Sequence, residues 1–105
     1  MEGRKSEVTV EDMPHESRLV ARVDGQVVGV AEYIRTDHLL AFVHTEVDPE
    51  REGEGVGSTL AQAAMELAKA GGREVLPVCP FIAGWMNRHP EYAGLRYRPT
   101  SKVTD

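Results

Sequence analysis

An α/β (α+β) fold on a mixed sheet is predicted by three features of this 105-residue chain. β-rich runs between Arg18 and Val47 follow one another with only short turns, the pattern of an antiparallel meander. A glycine-dense segment, Gly53-Glu54-Gly55-Val56-Gly57, then opens a stretch of helical periodicity. A further run, Glu74 to Cys79, follows that helix, and a helical crossover returns a strand parallel to the one before it. The length suits a single domain, 1–105, with one modest core.

The elements follow in order. Val8 and Val10 alternate with polar neighbours as a short first strand. Arg18 to Val23 and Val27 to Ile34 flank Asp24-Gly25-Gln26, a hairpin signal. After the polar turn Arg35 to His38, Leu39 to Val47 alternates with period two. Strict alternation places Leu39, Ala41, Val43, Thr45 and Val47 on one face, with Leu40, Phe42, His44 and Glu46 on the other. Val56, Leu60, Ala63, Ala64 and Leu67 form one stripe of a helix that Gly71-Gly72 ends. In the fifth strand Pro77 lacks a donor, which normally marks an edge. Ile82 to Arg88 reads as a second helix, stopped before Pro90, with Trp85 and Tyr92 as core and cap residues. The ends, 1–6 and 98–105, read as frayed.

Composition excludes several classes. No run approaches the roughly 20 apolar residues of a membrane span, and the N-terminus lacks an apolar signal region. One cysteine precludes an internal disulfide and fits a reducing, cytoplasmic setting. The formal net charge of −5 and the absence of a basic face argue against nucleic acid as a partner, and favour a cationic one such as an amine.

The glycine segment is the strongest motif. Glycines bring the backbone close to a ligand, and the helix that follows offers unpaired N–H groups and a positive dipole end. Together they make an anion site, most often for phosphate. Two familiar phosphate motifs do not fit. A Walker-type loop needs Lys before Ser or Thr, whereas Gly57 runs directly into Ser58. The dinucleotide fingerprint places its third glycine one residue later and an acid about 20 residues on, where this chain reads Arg73 to Val78. An unliganded glycine-rich connection is the plainer reading of such a triplet.

Val47 to Leu60 closely resembles the coenzyme A pyrophosphate loop of the GNAT N-acetyltransferase superfamily. That loop reads Gln or Arg, two residues, Gly, one residue, then Gly or Ala, after a Val-x-Pro strand end. Here Val47-Asp48-Pro49 supplies the strand end, and Glu52 stands where the superfamily prefers Gln or Arg. Arg22-Val23-Asp24-Gly25, Ala31-Glu32-Tyr33, His44-Thr45-Glu46-Val47, Pro77-Val78-Cys79-Pro80-Phe81 and Arg88-His89-Pro90-Glu91-Tyr92 resemble the small single-domain branch of the superfamily. The similarity runs from about Ser17 to Leu95 and is far more specific than the loop alone.

The resemblance implies an acetyl-coenzyme A-dependent N-acetyltransferase with an amine acceptor, on a small molecule or a protein, and no metal. It implies coenzyme contacts at Val47, Arg51, Gly53, Glu54, Gly55, Val56, Gly57 and Ser58, with Asn87 and Arg88 from the helix after the fifth strand. It also implies that the fourth and fifth strands splay to admit the pantetheine arm, a gap that accommodates Pro77. The superfamily usually shapes its acceptor pocket with helices after the first strand. Only Asp12 to Ser17 occupies that place here, so the acceptor side is expected to be open, or walled by a second subunit in a homodimer rather than a monomer.

Acetyl transfer requires the amine to lose a proton and the thioester carbonyl to be polarised. A backbone N–H near Val47 suits the second task. Glu46 and His44 are the base candidates, directly or through water; the plainer reading makes His44 a hydrogen-bonded strand residue and Glu46 a solvated one. Cys79 offers another route. It precedes a helix that starts near Phe81, and a helix N-terminus, with Arg88 or His89, lowers a thiol pKa, so a thiolate there can carry the acetyl group. Free cysteine is also among the most buried residue types, and packing is the competing role. A non-catalytic module that keeps the fold and binds coenzyme A or a protein partner is the rival function.

Overall fold

The computed structural model describes residues 7–99. The expected frayed ends lie mostly outside them, at 1–6 and 100–105, and Arg98 and Pro99 carry no regular structure. The strands are β1 (Thr9–Met13), β2 (Arg18–Val23), β3 (Gln26–Arg35), β4 (Leu39–Val47) and β5 (Glu74–Pro77); the helices are α1 (Val56–Gly71) and α2 (Pro80–Arg88). They form one five-stranded sheet in the order β1-β2-β3-β4-β5. The first three pairings are antiparallel and β4-β5 is parallel, as a crossover through α1 requires. Asp24 and Gly25 turn β2 into β3 with φ of 52° and 82°. Positive φ at both central residues is the requirement of a type I′ hairpin, which Asp-Gly meets.

The core lies between one face of the sheet and the helices. Val56, Leu60, Ala61, Ala64, Met65 and Ala68 are the buried stripe of α1. Leu19, Ala21, Val23, Ala31, Tyr33, Leu40 and Phe42 oppose it from the sheet, and Ile82, Trp85 and Met86 of α2 close the end. Ala63 and Leu67, expected within the stripe, sit partly buried at its margin. Gly29 permits the close approach of α1: a Cβ there would stand 3.0 Å from both Leu60 Cδ1 and Val56 Cγ1. At the end of α1, Gly72 takes φ of 68° and Arg73 N–H returns to Ala68 O, a Schellman closure.

Two β-bulges correct strict alternation. Glu32 pairs with His44 and Tyr33 with Phe42, so Val43 has no opposite partner. One extra residue on β4 inverts every side chain beyond it. Leu40 and Phe42 face α1, and past the bulge Thr45 and Val47 take over that face while His44 and Glu46 turn to the opposite one. The sequence-based grouping of Phe42 with His44 and Glu46 is therefore wrong. A similar shift on β3 leaves Val28 between Gly29 and Val27.

β5 pairs with β4 only from Leu39 to Phe42. It stops at Pro77, not Cys79, because Val78 N–H bonds to Leu76 O at 3.1 Å and turns the chain. Cys79 N–H then bonds to Phe42 O at 2.8 Å, and α2 starts at Pro80. Proline at the first helical position leaves no donor orphaned, which accounts for a start two residues before Ile82. Beyond Phe42 no ladder pair joins β4 to β5 among the described residues, so Val43–Val47 presents an open edge. Only the short turn Pro14–Glu16 links β1 to β2. No described helix is long and apolar enough to cross a membrane.

Candidate active site

The site starts where β4 ends. Asp48 caps a short 3-10 turn, Pro49–Arg51, by accepting from Glu50 N–H at 2.9 Å. Gly53 and Gly55 follow with φ of 87° and 83°, and no atom lies within 4 Å of a Cβ built on either. Conformation, not crowding, demands glycine at these two positions. Gly57 is helical, and its reason is different: a Cβ there would stand 2.8 Å from Phe81 Cζ. The loop thus opens α1 with its first N–H groups, those of Val56, Gly57 and Ser58, free of intrahelical acceptors.

These groups face a groove of about 600 Å³ between the β4 edge, the loop and α2, within the range of small-molecule sites. Of the sequence-predicted coenzyme residues, Val47, Arg51, Gly53, Gly55, Val56, Gly57, Ser58 and Arg88 line it. Glu52 lines it as well. Glu54 and Asn87 do not: Glu54 pairs with Arg51 at 3.3 Å, and Asn87 Oδ1 accepts from Arg96 Nη1 at 3.1 Å. Arg51 is therefore partly neutralised. Arg88 forms no ion pair among the described residues.

α2 is pinned along the groove at successive points. Cys79, only 5% exposed, holds its Sγ 3.4 Å from Thr45 Oγ1. Phe81 lies against Gly57, and Trp85 Nε1–H donates to Ser58 Oγ at 3.0 Å. Burial pushes the Cys79 thiol pKa up, but hydrogen bonds with Thr45 Oγ1 and with the N–H groups of Ile82, Phe81 and Thr45 outweigh it. The net result is a thiol below its ordinary value, as its place at the N-cap of α2 leads one to expect.

His44 and Glu46 lie on the opposite face, with Nε2 and Oε2 3.1 Å apart and both side chains at least half exposed. Glu46 lines a second groove, about 730 Å³, with Val27–Val30, Asp48 and Pro49. Thr45 and Val47 line both grooves. The end of β4 is therefore the partition between them, and a group bound in one meets a group bound in the other only there. Sequence reasoning missed Thr45, Phe81 and His89 as groove residues, and assigned to the core Trp85, which is buried and also lines the groove. Thr45 was hidden by the bulge, whereas the helical spacing Phe81-Trp85-His89 was a signal in plain view.

The family model of the GCN5-related N-acetyl-transferases matches residues 18–95. The chain belongs to this family. Among solved structures it is similar to Ard1 from Thermoplasma volcanium, at 28% identity and a TM-score of 0.53, over 58% of this chain and 43% of that one. The chain thus spans less than half the length of that relative. It also resembles a GCN5-like protein from Staphylococcus aureus (17% identity, TM-score 0.64, 91% of this chain and 96% of that one). A ribosomal-protein-alanine N-acetyltransferase from Brucella melitensis biovar Abortus 2308 matches at 18% identity and a TM-score of 0.53, over 84% and 66% of the two chains. At such identities these two likenesses establish the fold. No curated protein matches the sequence.

Proposed function

We propose that this family member is an acetyl-coenzyme A-dependent N-acetyltransferase whose donor and acceptor occupy the two grooves that meet at Thr45 and Val47. That shared boundary is the observation that carries the reading. The pyrophosphate fits the N–H groups from Gly53 to Ser58, since backbone donors at a helix N-terminus bind anions whatever the side chains. The edge of β4 past Phe42, apart from the Thr45 N–H that bonds to Cys79 Sγ, carries no strand partner and offers its remaining backbone groups to a pantetheine arm laid beside it as a strand would lie. Bound acetyl-coenzyme A supplies an activated acetyl thioester.

The chain's residues then have two tasks. A backbone N–H near Val47 polarises the thioester carbonyl. Glu46, exposed at the partition, takes the proton from the amine, with His44 beside it as partner or alternate base. The amine nitrogen forms its bond to the acetyl carbon as the C–S bond breaks, and the second nitrogen proton passes to the departing sulfur, which leaves as the coenzyme thiol. The acceptor is an amine of a small molecule or a protein, and the bare turn between β1 and β2 leaves its side unwalled.

A second reading, relay through Cys79, draws on the lowered thiol pKa. Direct transfer is favoured because Cys79 is buried and lines neither groove, whereas Glu46 lines one. A panel of amines (polyamines, lysine peptides, free peptide N-termini) with acetyl-coenzyme A and detection of released thiol tests the reading. Amine-dependent thiol release at a substrate-saturable rate is expected. Coenzyme A binding with no release for any amine supports the non-catalytic module instead, consistent with Glu52 in the groove.

A further inference from the structure

Past Trp85, the groove ends on His89. The His89 ring stacks on Trp85 with centroids 3.7 Å apart and planes 12° from parallel. Its Nδ1–H donates to the Trp85 carbonyl at 2.8 Å, which fixes both tautomer and ring orientation. Trp85 in turn is buried and tied to α1 through Ser58, so the pair forms a rigid two-ring stack. Trp85 covers one face of the imidazole. His89 is only half-buried and lines the groove, and no other ring stacks on it among the described residues. Core packing accounts for Trp85, and capping of a carbonyl at the C-terminus of α2 accounts for the Nδ1–H bond, but neither calls for an aromatic ring on the lining of a ligand-sized groove.

The order along α2 says what that ring meets. Cys79 touches Thr45, Phe81 touches Gly57, Trp85 touches Ser58, and His89 lies one turn further on. The helix carries the chain about 13 Å from the partition to His89, at roughly 1.5 Å per residue. The anion site at Gly53–Ser58 is midway. A coenzyme with its pyrophosphate there sends its acyl arm toward Thr45 and its nucleotide toward the far end of α2. Arg88, next to His89 and unpaired among the described residues, places a cation where the nucleotide's phosphate charge emerges.

We infer that His89 is the adenine platform of the donor groove: the nucleobase stacks on the imidazole, which Trp85 backs. The inference rests on the coenzyme reading and adds a nucleotide subsite to it. Every base presents a π-face, so a stacking platform contributes affinity without hydrogen-bond readout.

Calorimetric titration of wild type, His89→Ala and His89→Phe with coenzyme A and with 4′-phosphopantetheine, which lacks the adenosine portion, tests it. His89→Ala is expected to weaken coenzyme A by about tenfold, the usual order for one lost base–aromatic stack, and to leave 4′-phosphopantetheine unchanged. His89→Phe, which keeps an aromatic face, should recover most of the loss. An equal weakening of both ligands, or of neither, overturns the inference and reduces His89 to packing. Failure of the wild type to bind either ligand overturns the coenzyme reading itself, a result distinct from the other two. Melting temperatures of both variants confirm that the fold is intact.

Discussion

Gly57 and Phe81 meet where α1 and α2 converge on the groove: a Cβ on Gly57 would stand 2.8 Å from Phe81 Cζ. The ring is 38% exposed, so its far end can swing away. Gly57→Ala adds a helix-favouring residue worth about 1 kcal/mol, which offsets the cost of displacing the ring. Little change in melting temperature is expected, yet coenzyme A binding should weaken by about tenfold, or about 1.4 kcal/mol, because the displaced ring lines the groove. Phe81→Leu in the Gly57→Ala background should restore part of the affinity. A large drop in stability without a binding defect would place the ring in the fold's service instead.

Gly53 and Gly55 behave differently. No atom crowds a Cβ at either, but their φ of 87° and 83° strains an L-residue. Alanine at each should cost about 1 kcal/mol and loosen binding, while asparagine, which tolerates left-handed backbone, should cost less. Chemical denaturation of the four variants gives the comparison; equal costs for Ala and Asn would argue against backbone strain.

The loop acids are separable. Glu52 lines the groove, whereas Glu54 faces Arg51. Glu52→Arg should tighten coenzyme A binding, and the gain should shrink with salt, since exposed charges are screened over about 8–10 Å at moderate ionic strength. Glu54→Lys breaks the pair with Arg51 and should have the smaller effect. The reverse ranking in titrations at low salt would show that Glu52 points away from the phosphates.

Direct transfer and relay part at Cys79. With direct transfer, Cys79→Ala keeps most of its activity, whereas Glu46→Gln slows turnover by about 10² to 10⁴, the range for a lost general base. Steady-state rates with the best amine of the panel measure both. A hydroxylamine-labile acetyl group on Cys79 that passes to an amine would establish the relay.

Thr45 holds the thiol that sits at this divide. The Cys79 pKa is lowered in the folded protein, so the thiolate contributes stability that is fully present above the unfolded pKa and lost as pH falls through the folded one. Thr45→Val removes one hydrogen bond at 3.4 Å and should move the midpoint of Cys79 alkylation to higher pH. An unchanged midpoint would assign the shift to the backbone N–H groups of Ile82, Phe81 and Thr45.

The sequence by itself determined the order of strands and helices, the Asp24-Gly25 hairpin, the glycine loop and, at Val56, Leu60 and Ala64, part of the buried stripe of α1, whose Ala61, Met65 and Ala68 it did not reveal. Each is written in local spacing: period two, period 3.6, or a residue type that a left-handed φ requires. It also carried enough similarity to place the chain in its family before any contact was known. Only the tertiary structure decided on which side of the sheet the candidate base and thiol lie. Val43 becomes a bulge because β3 and β4 pair out of step there, and pairing is a property of two strands, invisible in the alternation of one. That single unpaired residue turns Thr45 toward Cys79 and sends His44 and Glu46 to the opposite face, where Glu46 lines the second groove and His44 lies beside it. The same holds for Phe81 over Gly57 and Ser58 beneath Trp85: each contact joins residues more than twenty positions apart, and only packing α1 against α2 brings them together.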